Sequence, residues 1–466
     1  MAKKTSLFSK IPAVDKVLHA LGNDDQLPPL PLPLVTDLVR GKVESLRDYL
    51  NGGGTEIGEF DEIVSEIKAE IFSLYQSRIH PVINGTGVII HTNLGRSPLS
   101  ETVVEKLTKV GQYYNNIELD LGTGERGKRG GFLEVALANL IESEAATVCN
   151  NCAAALILIL KHLANGEKNE VIISRGELVE IGGGFRVPDI MAVSGAKLVE
   201  VGATNKTTLA DYENAITERT GMLLKVHRSN FYMEGFTHEP TTEELVELGR
   251  ERDLPVVEDL GSGAMLPTDS LAPIPHEPTA TEVLNRGVDI VCVSGDKLFG
   301  GPQAGIIAGR ADLIAGLKKE PFFRALRCDK LILTGLQETV IEYLNRSSGK
   351  QADLPLVRML SLTVDDLMPR AKKIVKALNN DCVSIGEGLA RCGGGTMPKA
   401  EIPSVTIDIA PKGMGLKKFA RLLRDRELPM VGYVAEDKYR LDLRTIMPEQ
   451  DADVIENLKA VLTESR

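Results

Sequence analysis

Ser294-Gly295-Asp296-Lys297-Leu298-Phe299-Gly300-Gly301-Pro302 is the stretch on which the reading of this chain turns. It follows an apolar run at 288–294 that reads as a buried strand, and it leads through glycines into a second apolar run at 304–308. A lysine just past a buried strand, ringed by small residues, can approach a planar cofactor closely. Removal from water favours its neutral amine, the form that condenses with a carbonyl to a Schiff base. A surface lysine in a tight turn is the bland alternative, and on this stretch alone it is the better bet.

Two upstream segments shift the balance. Val256-Val257-Glu258-Asp259-Leu260-Gly261-Ser262-Gly263 is an apolar strand that closes on Asp259. A carboxylate at that place can pair a pyridinium nitrogen and keep the ring protonated, which makes the ring an electron sink. A capping or ion-paired aspartate is the competing explanation. Further upstream, Cys149-Asn150-Asn151-Cys152-Ala153-Ala154-Ala155 opens an apolar helix. The free amides and dipole of a helix start suit a phosphate, which makes Asn150, Asn151 and Cys152 candidate phosphate contacts. Ser294, at the end of the lysine strand, joins them as a candidate cofactor contact. Each segment is weak alone. In the order phosphate helix, aspartate strand, lysine turn, they point to a pyridoxal 5'-phosphate enzyme of the aminotransferase-like α/β fold, with Lys297 holding the cofactor.

The surrounding pattern agrees. Strands are expected at 171–174, 198–201, 222–226, 256–259 and 288–294, with helices at 153–163, 209–216 and 242–252. Such alternation implies βαβ units and a mostly parallel sheet covered on both faces. Residues 1–80 read as a helical unit: Ile11, Val14, Leu18 and Leu21 recur at helical spacing, as do Ile63, Ile67, Ile71 and Leu74. Between these runs, Pro28 to Pro33 is expected to run extended. Residues 81–335 form the expected large cofactor-binding domain. Residues 336–466 form a smaller α/β domain, with a strand at 438–443 and a terminal helix at 451–462.

Composition limits the classes of function. The longest apolar run, 153–160, is far too short to span a bilayer. Lys3 and Lys4 have no apolar stretch behind them, so no signal peptide is expected. Six cysteines in 466 residues fit a reducing cytoplasm better than a disulfide framework. The 54 basic and 65 acidic residues leave a net charge of −11, which argues mildly against nonspecific nucleic-acid binding. Trp is absent and aromatics total 4%, so a stacking platform for single strands is not expected.

Two motifs mislead. Gly122-Thr123-Gly124-Glu125-Arg126-Gly127 matches a dinucleotide fingerprint and, with Lys128, nearly a P-loop. Arg129 stands where Ser or Thr should hold magnesium, and the loop does not open the first βα turn of a sheet. An anion contact by its basic residues is the functional reading, and a solvated loop the plain one. Cys149 and Cys152 form a CxxC with no second pair and no neighbouring histidine, which does not make a zinc site. A redox role ranks below two small residues at a helix start.

Taken together, these residues resemble bacterial selenocysteine synthase, the L-seryl-tRNA(Sec) selenium transferase family. The likeness is carried by PVINGTGVIIHTNLGRSPLSE (81–101), NNCAAA (150–155), SRGELVEIGGGFRVPDIM (174–191), VEVGATNKT (199–207), KVHRSNF (225–231), VVEDLGSGAM (256–265) and SGDKLFGGPQAGIIAGR (294–310). RALRCDKL (324–331) and RLDLRTI (440–446) extend it over essentially the whole chain. The chain departs from the family pattern in having Cys152 where a third Asn is usual and Arg228 where Thr is usual.

The resemblance implies conversion of L-seryl-tRNA(Sec) to L-selenocysteinyl-tRNA(Sec) through an aminoacrylyl-tRNA, with selenophosphate as donor. Lys297 is then the cofactor lysine and the base for the α-proton, over Asp259. Arg96, Arg324 and Arg327 match positions that line a site for the anionic donor, and Asp296 an active-site position that assists proton transfer. It also implies a cytoplasmic homo-oligomer, a ring of dimers, with tRNA gripped by the helical unit. Through Arg78 that unit has nine basic and twelve acidic residues, a balance of −3, so the grip rests on resemblance and not on charge. A pyridoxal phosphate lyase acting on a small amino acid or amino sugar is the runner-up, disfavoured by the helical unit. A noncatalytic tRNA-binding scaffold is the third reading, disfavoured by the intact lysine and aspartate motifs.

Overall fold

The computed structural model describes residues 7–181, 184–349 and 353–464. Lys3, Lys4 and, within the 174–191 motif, Gly182 and Gly183 lie outside the described residues. The chain divides into two compact units, Met1–Pro81 and Val82–Arg466.

In the first unit, helices Val14–Gly22, Leu32–Asn51 and Phe60–Gln76 enclose a core that includes Val17, Leu21, Val39, Ile63, Ile67 and Ile71. The proline run departs from expectation. Residues 28–31 are non-helical, but a helix begins at Leu32 with Pro31 at its cap and Pro33 inside its first turn. A first-turn N–H has no carbonyl to meet, so proline loses no bond there, and its fixed φ suits the helix.

The second unit is built on a seven-stranded sheet. Its order is Ala145–Cys149, Gly305–Gly309, Ile290–Ser294, Val256–Gly261, Thr220–Val226, Glu170–Ser174, Lys197–Val201. All are parallel except Gly305–Gly309, which runs antiparallel to both neighbours. The five strands expected from sequence are present within two residues of their expected bounds, and the helix at 242–252 is Thr242–Arg252. Successive residues of each strand serve opposite faces. Val171, Ile173, Leu224 and Val257 pack with the Cys152–Leu163 helix, whereas Ile172, Leu223 and Val256 join the core on the other side. Because the strands are parallel, Ser174, Val226, Gly261 and Ser294 end on one edge, where Cys149 ends and Gly305 begins.

A second sheet has five strands in the order Tyr433–Ala435, Lys438–Asp442, Thr396–Ile409, Val383–Gly393, Val88–Ile90. Helices Val364–Leu378, Leu416–Arg424 and Asp451–Glu464 bury one face of it against Val405, Ile407 and Ile409. Leu298, next to the key lysine, packs in a cluster with Ile89, Ile90, Leu356, Met359 and Cys392. The lysine turn is thus wedged between the two sheets.

Candidate active site

The lysine turn is held by its own backbone. Gly295 N–H donates to Ala304 C=O at 2.9 Å, Gly301 N–H to Gly295 C=O at 2.8 Å, and Leu298 N–H to Ser262 C=O at 2.9 Å. Ser97 Oγ donates to the Lys297 carbonyl at 2.9 Å. Gly263, at φ +78°, passes so close to the Ser294 carbonyl that a Cβ would collide with it. Lys297 and Asp259 are 7% and 6% exposed, and Asp296 and Ser294 are similarly buried.

Asp259 lies opposite Cys292 in the parallel register, two residues before the end of its strand, as Cys292 is of its own. Cys152 Sγ donates to Asp259 Oδ1 at 3.6 Å, and the two sulfurs and the carboxylate oxygen lie within 4.8 Å of one another. Burial pushes the Asp259 carboxyl above its ordinary range. The charge of Lys297 and hydrogen bonds from the Cys292 and Cys152 thiols pull it back. Sequence reading missed Cys292. Its signal was the shared offset from the strand end, which becomes informative only once the two strands are known to be neighbours.

The helix start departs in detail from what was expected of it. Asn151 spends its side chain as N-cap, accepting from Ala154 N–H at 2.8 Å. Asn150 is exposed, and its N–H donates to Leu326 C=O at 2.9 Å. Cys152 directs its sulfur to Asp259. What remains for an anion is the pair of first-turn amides of Cys152 and Ala153, which no helix carbonyl can reach.

Arg96 follows Gly95 with both residues in the left-handed region, at φ 66° and 88°. That conformation is costly for arginine and is held by its N–H bond to His91 C=O at 3.0 Å. It presents Nη1 to both Asp296 carboxylate oxygens at 2.8 Å. Arg324 and Arg327 are not brought to this pair. They line a cleft of about 600 Å³ with Lys128, Arg129 and Lys318. The Asn150–Leu326 bond is what joins their segment to the helix start.

Glu177, in the 174–191 motif, is 1% exposed and accepts from Val226 N–H at 2.9 Å, with Lys225 Nζ 3.6 Å away. Burial pushes its carboxyl up to about 7. The folded protein therefore keeps a proton that an unfolded glutamate has lost above its ordinary value of 4.5. Stability from this group is full below that value and is lost as pH rises through about 7. Glu177→Gln is expected to flatten the dependence, gaining on the order of 2–3 kcal/mol over the parent at pH 8 and little at pH 4.5. Parallel thermal melts across that range check it, and an unchanged pH slope would refute it.

A buried amine, a buried carboxylate kept within reach of ionisation and a helix start on one sheet edge fit a phosphorylated pyridine aldehyde. The fold has a solved counterpart in D-glucosaminate-6-phosphate ammonia-lyase, with TM-score 0.57 and 21% identity over 85% of this chain and 98% of that one. That likeness shows a shared fold, the aminotransferase-like α/β fold expected from the sequence. Sequence comparison is more specific. The family profile described as L-seryl-tRNA selenium transferase matches residues 82–447. The L-seryl-tRNA(Sec) selenium transferase of Geotalea daltonii is 42% identical over 98% of this chain and 100% of its own length. That of Carboxydothermus hydrogenoformans is 43% identical over 95% of each. Likeness of this extent, spanning both units and every segment of the site, makes the chain a member of the L-seryl-tRNA(Sec) selenium transferase family.

Proposed function

We propose that this enzyme converts L-seryl-tRNA(Sec) to L-selenocysteinyl-tRNA(Sec), using pyridoxal 5'-phosphate on Lys297 and selenophosphate as donor. The observation that carries the reading is the buried Lys297 turn sharing a sheet edge with buried Asp259, in a chain that matches its relatives end to end. When bound, the cofactor supplies an electron sink for charge developing at the seryl α-carbon. Asp259 would keep its ring nitrogen protonated. Lys297 would hold it through Nζ and would then serve as the base for the seryl α-proton. The β-hydroxyl would leave as water, and the donor's selenium would then join the β-carbon, water taking up the phosphoryl group as the P–Se bond breaks. Asp296, fixed by Arg96, assists proton transfer beside the lysine. Arg324 and Arg327, in their own cleft, hold the tetrahedral anion, a task for which guanidinium forks suit better than ammonium groups, and Arg96, which the chain keeps apart from them, would join them from a second copy. Asn150, Asn151, Cys152 and Ser294 shape the cofactor's seat.

Two further features belong to this reading. Tyr113, Tyr114, Leu119, Leu121 and Phe132 are exposed large apolar side chains, and contact with a second copy of the chain would cover them. This supports a homo-oligomer, for which the reading proposes a ring of dimers. Among the described residues no helix is long and apolar enough to cross a membrane, and a tRNA substrate puts the work in the cytoplasm.

The test is spectroscopic. The purified protein should be yellow, and its band should shift on adding seryl-tRNA(Sec) but not free serine. A shift with serine or another small amine, and none with the charged tRNA, would replace this reading with that of a lyase.

A further inference from the structure

Glu118 stands at the meeting point of three arginines. Its Oε2 accepts from Arg126 Nη2 at 2.8 Å and its Oε1 from Arg129 Nη1 at 3.1 Å, while Arg327 Nη1 lies 3.7 Å from Oε1. The residue is fixed by a small hairpin, in which Gly127 N–H donates to Glu118 C=O at 3.0 Å and Leu119 bridges to Arg126. The dinucleotide-like glycine loop of the sequence is the tip of this hairpin. Its job here is to place a carboxylate and an arginine, not to cradle a nucleotide.

Arg129 and Arg327 also line the 600 Å³ cleft, with Lys128, Lys318 and Arg324. The two carboxylates in that lining are already engaged: Glu134 with Lys318 at 2.5 Å and Glu320 with His162 at 2.7 Å. Arg324 has no carboxylate partner among the described residues. The cleft is therefore cationic, and a single carboxylate, reaching in from outside the lining, pairs with two of its guanidinium groups.

We propose that Glu118 is a resident counter-ion of the donor site, a built-in anion that occupies Arg129 and Arg327 until a tetrahedral oxyanion displaces it. The inference rests on the reading of Arg324 and Arg327 as holders of the anionic donor. Its consequence is selectivity by charge. A monoanion offers the two arginines no more than the carboxylate they already have. A dianion of the phosphate type offers two charges and several acceptor oxygens in fork geometry. Arg126, on the far side of Glu118 and 77% exposed at its side chain, competes for the same carboxylate and so sets how firmly Glu118 sits on the cleft arginines.

The experiment uses the holoenzyme, with inorganic phosphate as probe in calorimetric titrations at fixed ionic strength, and the KM for selenophosphate alongside. Glu118→Gln is expected to bind phosphate roughly three- to tenfold tighter, the range expected for releasing two partly exposed ion pairs, with KM falling by a similar factor. Arg126→Ala should do the reverse, since Glu118 then has fewer partners to share. A purely structural Glu118 would make both variants move the same way, or neither, and either result overturns the proposal. Arg327→Ala separates the two levels. If it weakens phosphate binding while Glu118→Gln does not strengthen it, the counter-ion idea fails and the arginine assignment stands. If Arg324→Ala and Arg327→Ala both leave phosphate binding and KM unchanged, the assignment itself fails, and the proposal with it.

Discussion

Lys297→Ala should purify colourless or with cofactor that washes out, and its turnover should fall by at least about 1,000-fold. Two functions are lost at one atom. On the proposed reading, Nζ would be both the anchor for the cofactor and the base for the α-proton. Lys225 is already engaged: its Nζ lies 3.6 Å from Glu177 and donates to Pro240 C=O. The turn itself should survive, because its bonds run through backbone groups of Gly295, Leu298 and Gly301. Borohydride reduction followed by peptide mapping makes the result decisive. The parent should carry the label on Lys297 and the variant nowhere. Label on a second lysine of the variant, or turnover within tenfold of the parent, would sink the assignment.

The second large effect is on stability, at Arg444 in the 440–446 motif. The side chain is 1% exposed, and both Nη atoms of its guanidinium donate to main-chain oxygens while the buried Nε meets no partner. Nη1 donates to Met359 C=O at 2.7 Å and Leu362 C=O at 2.6 Å, and Nη2 to Pro403 C=O at 2.6 Å. These acceptors belong to the end of the Pro355–Ser361 helix, the residue after it and the Thr396–Ile409 strand, so one side chain ties three pieces together. Arg444→Met fills a similar volume but leaves those carbonyls buried without donors and Asp442 without its neighbouring charge. The expected loss is about 3–5 kcal/mol. With Trp absent, far-ultraviolet circular dichroism in a urea series is the suitable probe. A midpoint indistinguishable from the parent's would mean that water replaces the guanidinium at no cost.

The large sheet was legible because its strands are buried on both faces and read as short continuous apolar runs bounded by turns. The lysine turn and the aspartate strand were legible for a related reason: a charged residue at the end of such a run is conspicuous. The long hairpin formed by Val383–Gly393 and Thr396–Ile409 was not. Gly386, Gly388 and Gly393 to Gly395 break its apolar alternation, and Pro403 stands inside it, so local pattern argues for loops. Nor could spacing show which carboxylates Arg96 and Arg327 meet. Arg96 and Asp296 are 200 residues apart, and Glu118 stands far upstream of Arg327. Pairings of that kind are set by topology. The helix start was seen, but the use of Asn151 as cap and of Cys152 as donor to Asp259 depends on rotamers that composition does not encode.

The place of Gly305–Gly309 in the sheet bears on how the protein comes off the ribosome. This strand sits between Ala145–Cys149 and Ile290–Ser294, and among the described residues it is the sole neighbour of Ala145–Cys149 in the sheet order. The segment that leads into the Cys152–Leu163 helix therefore waits, unpaired, through the synthesis of well over one hundred further residues. Closing so long a loop is entropically slow, and the exposed strand edge is open to wrong partners in the interval. A nascent chain arrested before residue 309 should lack a finished cofactor seat, so colour is acquired late in translation and all at once.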